Sequence, residues 1–478
     1  MLKVTPGASH SRIRRRALAL ALAAWTHAWG VWGTAAPADA SDLQLATFQT
    51  DVTPPLGSPL CDALCPPAVQ ISDPLSARGI VLQWDNQPAI VIVAVDWVGI
   101  GNAGHHAWRR AIAEACEIDV NRVCVHCLHQ HDAPGCDFAA EEIGSQVGMA
   151  GRIFPVEFAR QSIDRVAESA GAARARLQKV THVGWGKARV VDIASNRRVM
   201  GDDGQVASFR MTACKDPAVR AAPAGVIDPF ARVVAFYQND RPLAALSYYA
   251  THPQSYYGAG EVSADFVGHA RDIAAEHEKV DLHLHFNGAG GNIGAGKYND
   301  GAKENRPALA SRLADGLIAA WEQLERADVS DLTCDWKSTD FVLPVAPWYD
   351  EASMTAQMSD ERLPDKVRGQ AVRSIAWARR CAAGEPITAA RLRVGPVEIL
   401  HMPGELFVEY QLAAQQMKPE AFVCMAAYGD YGMGYIGTAA AYSQGGYETG
   451  VASKASRVSA RSEVALMQAI DALLAPAP

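Results

Sequence analysis

The stretch Arg122-Val123-Cys124-Val125-His126-Cys127-Leu128 is an apolar, partly β-branched run that stops abruptly at His129-Gln130-His131-Asp132. A run this short, bounded by polar residues, reads as a buried strand whose C-terminal end opens into a loop. The same event recurs three times. The strand ending at Ala250 runs into Thr251-His252-Pro253, the one ending at Phe286 into Asn287-Gly288-Ala289-Gly290-Gly291-Asn292, and the one ending at Leu400 into His401-Met402-Pro403-Gly404-Glu405. Strands are expected over 89–98, 122–128, 231–237, 242–250, 280–286, 391–400 and 421–427. Helical periodicity covers 105–116, 155–177, 263–277, 306–325, 405–417 and 459–474. This alternation describes an α/β protein with mixed central β-sheets flanked by helices and a site at the strand ends, where loops gather polar groups.

The 478 residues are 49% hydrophobic and 20% charged, which is a globular composition and sets disorder aside. Arg12, Arg14, Arg15 and Arg16 precede the apolar run Ala17 to Trp25, and Ala38-Asp39-Ala40 offers small residues at cleavage positions. We read residues 1–40 as an export signal, by the general or the twin-arginine route, leaving 41–478 as one catalytic domain in the periplasm or secreted. No apolar run of spanning length follows, so no integral membrane span is expected in the mature chain.

The formal charge is −8, and removing the signal takes away five basic groups and one acid, leaving a more acidic protein. Nucleic-acid binding is excluded on this balance, because it rests on Lys and Arg neutralising phosphates. The ten cysteines are even in number and suit an oxidising compartment, with Cys61, Cys65, Cys124, Cys127 and Cys136 clustered early. Their spacing does not match a zinc finger.

The candidate chemistry sits in the loops. His129 and His131 stand at i and i+2 beyond a strand, and in extended chain both imidazoles face one side, as two metal ligands, as one ligand and a proton shuttle, or as hydrogen-bonded loop histidines. Pro253 holds the backbone of His252 extended. Glu405 is expected in the first turn of a helix, where the helix dipole alone accounts for a carboxylate. Asp430-Tyr431-Gly432-Met433-Gly434-Tyr435, continuing to Tyr442 and Gly446-Tyr447-Glu448, describes a loop that displays phenols. The glycine-rich segment 287–296 lacks the Gly-Lys-Ser/Thr ending of a phosphate loop.

The order of these motifs carries more than any one of them. Asp51-Val52-Thr53-Pro54-Pro55-Leu56-Gly57, the histidine pair, Asn196-Arg197-Arg198, Thr251-His252-Pro253, the Asn-Gly loop, Pro403-Gly404-Glu405 and the tyrosine loop follow one another. Over residues 42 to 475 this resembles the catalytic domain of the neutral/alkaline, non-lysosomal ceramidases, without their C-terminal immunoglobulin-like domain. The resemblance implies one catalytic Zn²⁺ held by His129, His252, Glu405 and Tyr435, with Tyr447 twelve residues beyond Tyr435 as in that family. Beside such an open metal site, His131 would pass a proton to the leaving nitrogen, and Arg197 and Tyr447 would bind the substrate or the oxyanion.

The sequence departs from the family at Gln130, at Asp132-Ala133-Pro134 and at Gly291-Asn292-Ile293-Gly294-Ala295. The reaction that the resemblance implies is hydrolysis of the amide of an N-acyl-sphingosine or a related N-acyl compound, and the departures bear on the substrate. The alternatives are a metal-dependent uronate lyase or carbohydrate esterase built on the same residues, and a non-catalytic periplasmic binding protein. In each case the partner is a small lipid or glycan.

Overall fold

The computed structural model describes residues 42–476, so the expected export signal lies outside the described residues. The first sheet contains β1 (Gln44–Asp51), β2 (Ser76–Gln83), β3 (Ile90–Val95), β4 (Val123–Cys127) and β5 (Gln178–Lys179), in the order β4-β3-β2-β1-β5. The all-apolar β3 shows why it is central. Successive side chains of a strand point to opposite faces: Ile90, Ile92 and Ala94 enter one core, while Val91, Val93 and Val95 enter another. Helices α1 (Asn102–Ala115) and α2 (Val156–Arg174) cover the second of these faces.

The second sheet contains β6 (His182–Arg189), β7 (Phe230–Gln238), β8 (Arg241–Tyr249), β9 (Leu282–Asn287) and β10 (Glu325–Asp328), in the order β9-β8-β7-β6-β10. It shares a core with the first sheet, in which Leu45, Ile80 and Ile92 join Val234, Leu246 and Leu284. Helix α3 (Asp265–Glu278) makes the crossover from β8 to β9, and α4 (Asn305–Glu322) packs beside it.

The third sheet contains β11 (Cys334–Phe341), β12 (Ile387–Val394), β13 (Val397–His401) and β14 (Phe422–Ala426), in that order. The single strand expected over 391–400 is a hairpin. Gly395 turns the chain at φ +57, and a Cβ there would lie 2.5 Å from the Leu332 side chain. Helices α5 (Asp365–Ala382), α6 (Val408–Met417) and α7 (Ser462–Leu474) complete the elements used below. No helix among the described residues is long and apolar enough to cross a membrane.

Each of the three sheets ends in one parallel pair: β3–β4, β8–β9 and β13–β14. Parallel neighbours require a crossover, which puts the C-terminal ends of both strands at the same end of the sheet. The three edges β4, β9 and β14 then meet. The Cys127 amide donates to the Tyr428 carbonyl at 2.9 Å, the Ala427 amide to the Asn287 carbonyl at 3.0 Å, and Asn287 Nδ2 to the Leu128 carbonyl at 2.5 Å. Loops from three different sheets are thereby delivered to one place.

Candidate active site

Beyond β4 the chain does not stay extended. His129 has φ +64, a left-handed conformation that costs a residue with a Cβ of order 1 kcal/mol or more. Its amide bonds the Trp97 carbonyl at 2.9 Å and its Nδ1 donates to the Val98 carbonyl at 2.5 Å, which hold it there. His129 and His131 do face one centre, with ring centroids 4.7 Å apart, but this bend brings them together and not the alternation of a strand. His131 Nδ1 donates to the His129 carbonyl at 3.0 Å.

His252 is fixed by its amide to the Ile293 carbonyl at 3.1 Å and by Nδ1 donating to the Gly290 carbonyl at 2.7 Å. The glycines of that loop serve close backbone approach. A Cβ on Gly291 would lie 2.3 Å from the Glu405 carbonyl, and one on Gly290 would lie 2.8 Å from the Thr251 backbone. Glu405 is not in a helical first turn. It belongs to the two-residue strand Glu405–Leu406, paired in parallel with Tyr435–Ile436 so that Glu405 and Tyr435 are direct partners, and α6 begins only at Val408.

Four donors therefore converge. Glu405 Oε2 lies 3.3 Å from His129 Nε2 and 3.1 Å from His252 Nε2, and the Tyr435 hydroxyl is 3.1 Å from His252 Nε2. Both Nδ1 atoms donate to carbonyls, so each neutral ring turns a bare lone pair towards a carboxylate oxygen that has none but lone pairs to offer. A second proton on one ring satisfies one of these contacts and leaves the other. Glu405 Oε2 is buried with no hydrogen-bond partner. A divalent cation satisfies all of them, and donors placed about 2.0–2.1 Å from a tetrahedral metal stand about 3.3 Å apart. The donor set fits a zinc-type ion. The nitrogens of His129, His131 and His252 also lie within 4.8 Å of one another.

Around this centre, Arg197 Nη1 donates to the Tyr435 hydroxyl at 3.1 Å, while its Nε lies 3.4 Å from Glu448 Oε1. Burial pushes His252 down to about 4, helped by the charge of Arg197. Tyr447 stands edge-on to Tyr435 at 5.9 Å and is 41% exposed, facing the cleft.

The tyrosine loop does not display its phenols as expected. Tyr428 is buried and stacked on His129 at 4.8 Å, Tyr431 donates to Glu405 Oε1 at 2.9 Å, and of the loop's tyrosines only Tyr447 is exposed. Tyr428 and Tyr431 were thus missed as supporting residues; their place in the loop was the available signal. No disulfide joins Cys61, Cys65, Cys124, Cys127 and Cys136. The centre opens on a cleft of about 190 Å³, whose wall includes Arg373 and Arg457, two residues with no signature in the sequence.

No family model and no curated protein matches the chain by sequence. Solved structures do. A neutral ceramidase from Pseudomonas aeruginosa superposes with a TM-score of 0.63 at 17% identity, covering 91% of this chain and 76% of that one. A ceramidase complexed with C2 gives 0.62 at 16% identity over 90% and 74%. The fold is that of the neutral ceramidases, as the order of motifs implied.

Proposed function

We propose that this chain is an exported zinc-dependent amidohydrolase that cleaves the amide of an N-acyl-sphingosine or a related N-acyl compound. One observation supports it above others: two imidazoles, each with its Nδ1 donating to a carbonyl, turn their Nε2 atoms to one buried carboxylate oxygen that has no hydrogen-bond partner, beside a cleft lined by His129, His131 and Glu405. Bound by His129, His252, Glu405 and Tyr435, a zinc ion supplies Lewis acidity towards a carbonyl and acidifies water.

The chain's own residues do the rest. Because His131 Nδ1 carries its proton to the His129 carbonyl, Nε2 is the free atom. That nitrogen takes a proton from the attacking water and returns it to the amide nitrogen, which leaves poorly without one. Arg197, anchored by Glu448, and the Tyr447 hydroxyl direct donors at the oxygen on which charge develops. The fold likeness supports the same reading.

The test is a metal-resolved assay on purified protein: elemental analysis, then release of free amine from a fluorescent N-acyl-sphingosine with chelator and with zinc restored. About one zinc per chain and chelator-sensitive amine release is the expected result. Zinc without amine release from any N-acyl compound would sink the amidase reading. The second reading, β-elimination from a uronate glycan with His131 and Tyr447 as base and acid, is favoured by the basic residues of the cleft wall. It would show as new ultraviolet absorbance from an unsaturated uronate.

A further inference from the structure

The protein is acidic, yet the cleft above the four donors is lined by Lys366, Arg373, Lys454 and Arg457, with Asp62 as the one carboxylate beside Glu405. Asp62 is committed, since it pairs with Arg373. Arg457 is different. The residue is 3% exposed, it forms no ion pair among the described residues, and its side-chain hydrogen bond is Nη1 to the Gly432 carbonyl at 3.3 Å. Its Nε has no partner, and neither has Nε of Arg373. A guanidinium cannot give up its proton to escape this situation, and a buried charge without a counter-charge is costly.

Other acids near Arg457 are already engaged. Asp137 accepts from Asn102 Nδ2 at 2.6 Å and from two amides at the start of a short helix, and Glu405 belongs to the donor centre. Burial and the adjacent Arg373 charge pull Arg457 down to about 9, the direction expected of cations facing each other without enough anion between them. Lys366 and Arg373 stand on the same helix two turns apart, with Gln370 between them, so α5 presents its basic face along one wall of the cleft.

We infer that Arg457 and Arg373 form an oxyanion subsite, with Lys366 and Lys454 at its mouth, so that the substrate carries a carboxylate or a phosphate on its amine half. This rests on the amidohydrolase reading for the identity of the scissile bond, but not for the subsite itself. A planar carboxylate or a phosphate oxygen pair matches the fork of an arginine, and a neutral headgroup does not. The apolar residues of the cleft lining, Leu64, Val98 and Ala455, are few for a long hydrocarbon headgroup.

Three compounds with the same acyl chain test this: an N-acylglycine, an N-acyl-phosphoethanolamine and the neutral N-acylethanolamine. Amine release is measured on zinc-loaded protein, and binding by calorimetry on the His131→Ala background. The expected result is at least about tenfold tighter binding and higher kcat/KM for an anionic compound, falling towards parity in Arg457→Met. Whether the carboxylate or the phosphate compound leads identifies the group.

Lys366→Ala, at an exposed position, keeps the test valid if Arg457→Met fails to fold. It should weaken anion binding a few-fold and lower its salt dependence. Equal binding and turnover of neutral and anionic compounds would overturn the subsite even with amine released. Charge-selective binding without amine release would leave the subsite standing and remove the amidohydrolase reading.

Discussion

Two histidine clusters sit on the same converging strand edges, and a carboxylate faces only one of them. His129 and His252 face Glu405, and His129 and Glu405 open on the cleft. Cys124, His126 and His401 are also buried with donor atoms within 4.8 Å of one another, and they border a cavity of only about 20 Å³. No carboxylate points between them; Asp430, which borders that cavity too, is paired with Arg380. His126 Nδ1 donates to the Ala427 carbonyl at 2.8 Å, so its Nε2 accepts from His401 Nδ1 at 3.0 Å. Burial pushes His126 down to about 4, His401 well down and the Cys124 thiol up to about 12, so all three are neutral at neutral pH. Buried histidines form a candidate cation site where a carboxylate confronts two imidazole nitrogens, and a hydrogen-bonded strut between sheets where none does.

The largest effect should come from erasing that difference. Glu405→Gln keeps the shape and removes the charge; elemental analysis should find bound zinc reduced well below one per chain, with amine release down by about 10³-fold or more. Cys124→Ala should leave the zinc content unchanged, and loss of zinc there instead would invert the comparison. Next, His131→Ala should lower kcat by about 10²–10⁴-fold with zinc retained, because it removes the proton carrier and not the centre. Tyr447→Phe should cost about 10²-fold in kcat, the lower end for losing one oxyanion donor, with thermal stability unchanged at this exposed position. Full turnover in Tyr447→Phe would remove it from the chemistry.

How much of this was legible follows from the kind of signal involved. The strands β4, β7, β8, β9 and β14 were readable because both faces are buried, even where the strand is the edge of its sheet, and continuous apolar runs announce that. The hairpin at Gly395 was hidden because Val394 and Val397 continue the apolar pattern through a two-residue turn. The site residues His129, His131, His252 and Glu405 stood at strand ends, but their geometry did not follow from spacing. The bend at His129 and the pairing of Glu405 with Tyr435 depend on contacts with residues far along the chain. Arg457 gave no signal at all, since an arginine reads as solvated until the structure shows it buried without a partner.

The smallest effect expected on activity is the sharpest test of the strut. His126 is held at about 4 in the folded protein against about 6.5 in an unfolded chain, so between these values the unfolded chain binds more protons. Stability from this group is fully present above pH 6.5 and is lost as pH falls through 4, a contribution of roughly 3 kcal/mol. His105 and His285, both pushed down to about 3 by burial, add to the same acid slope. His126→Gln removes one titrating group while keeping a polar side chain. Thermal melts at pH 7 and pH 4.5 should then show a lower Tm at pH 7, from the disturbed hydrogen bonds, but a smaller drop on acidification than the parent, with zinc content and turnover at pH 7 little changed. An unchanged acid slope would mean that His126 is not the buried neutral strut, and a loss of zinc would mean that the two clusters are not separate devices.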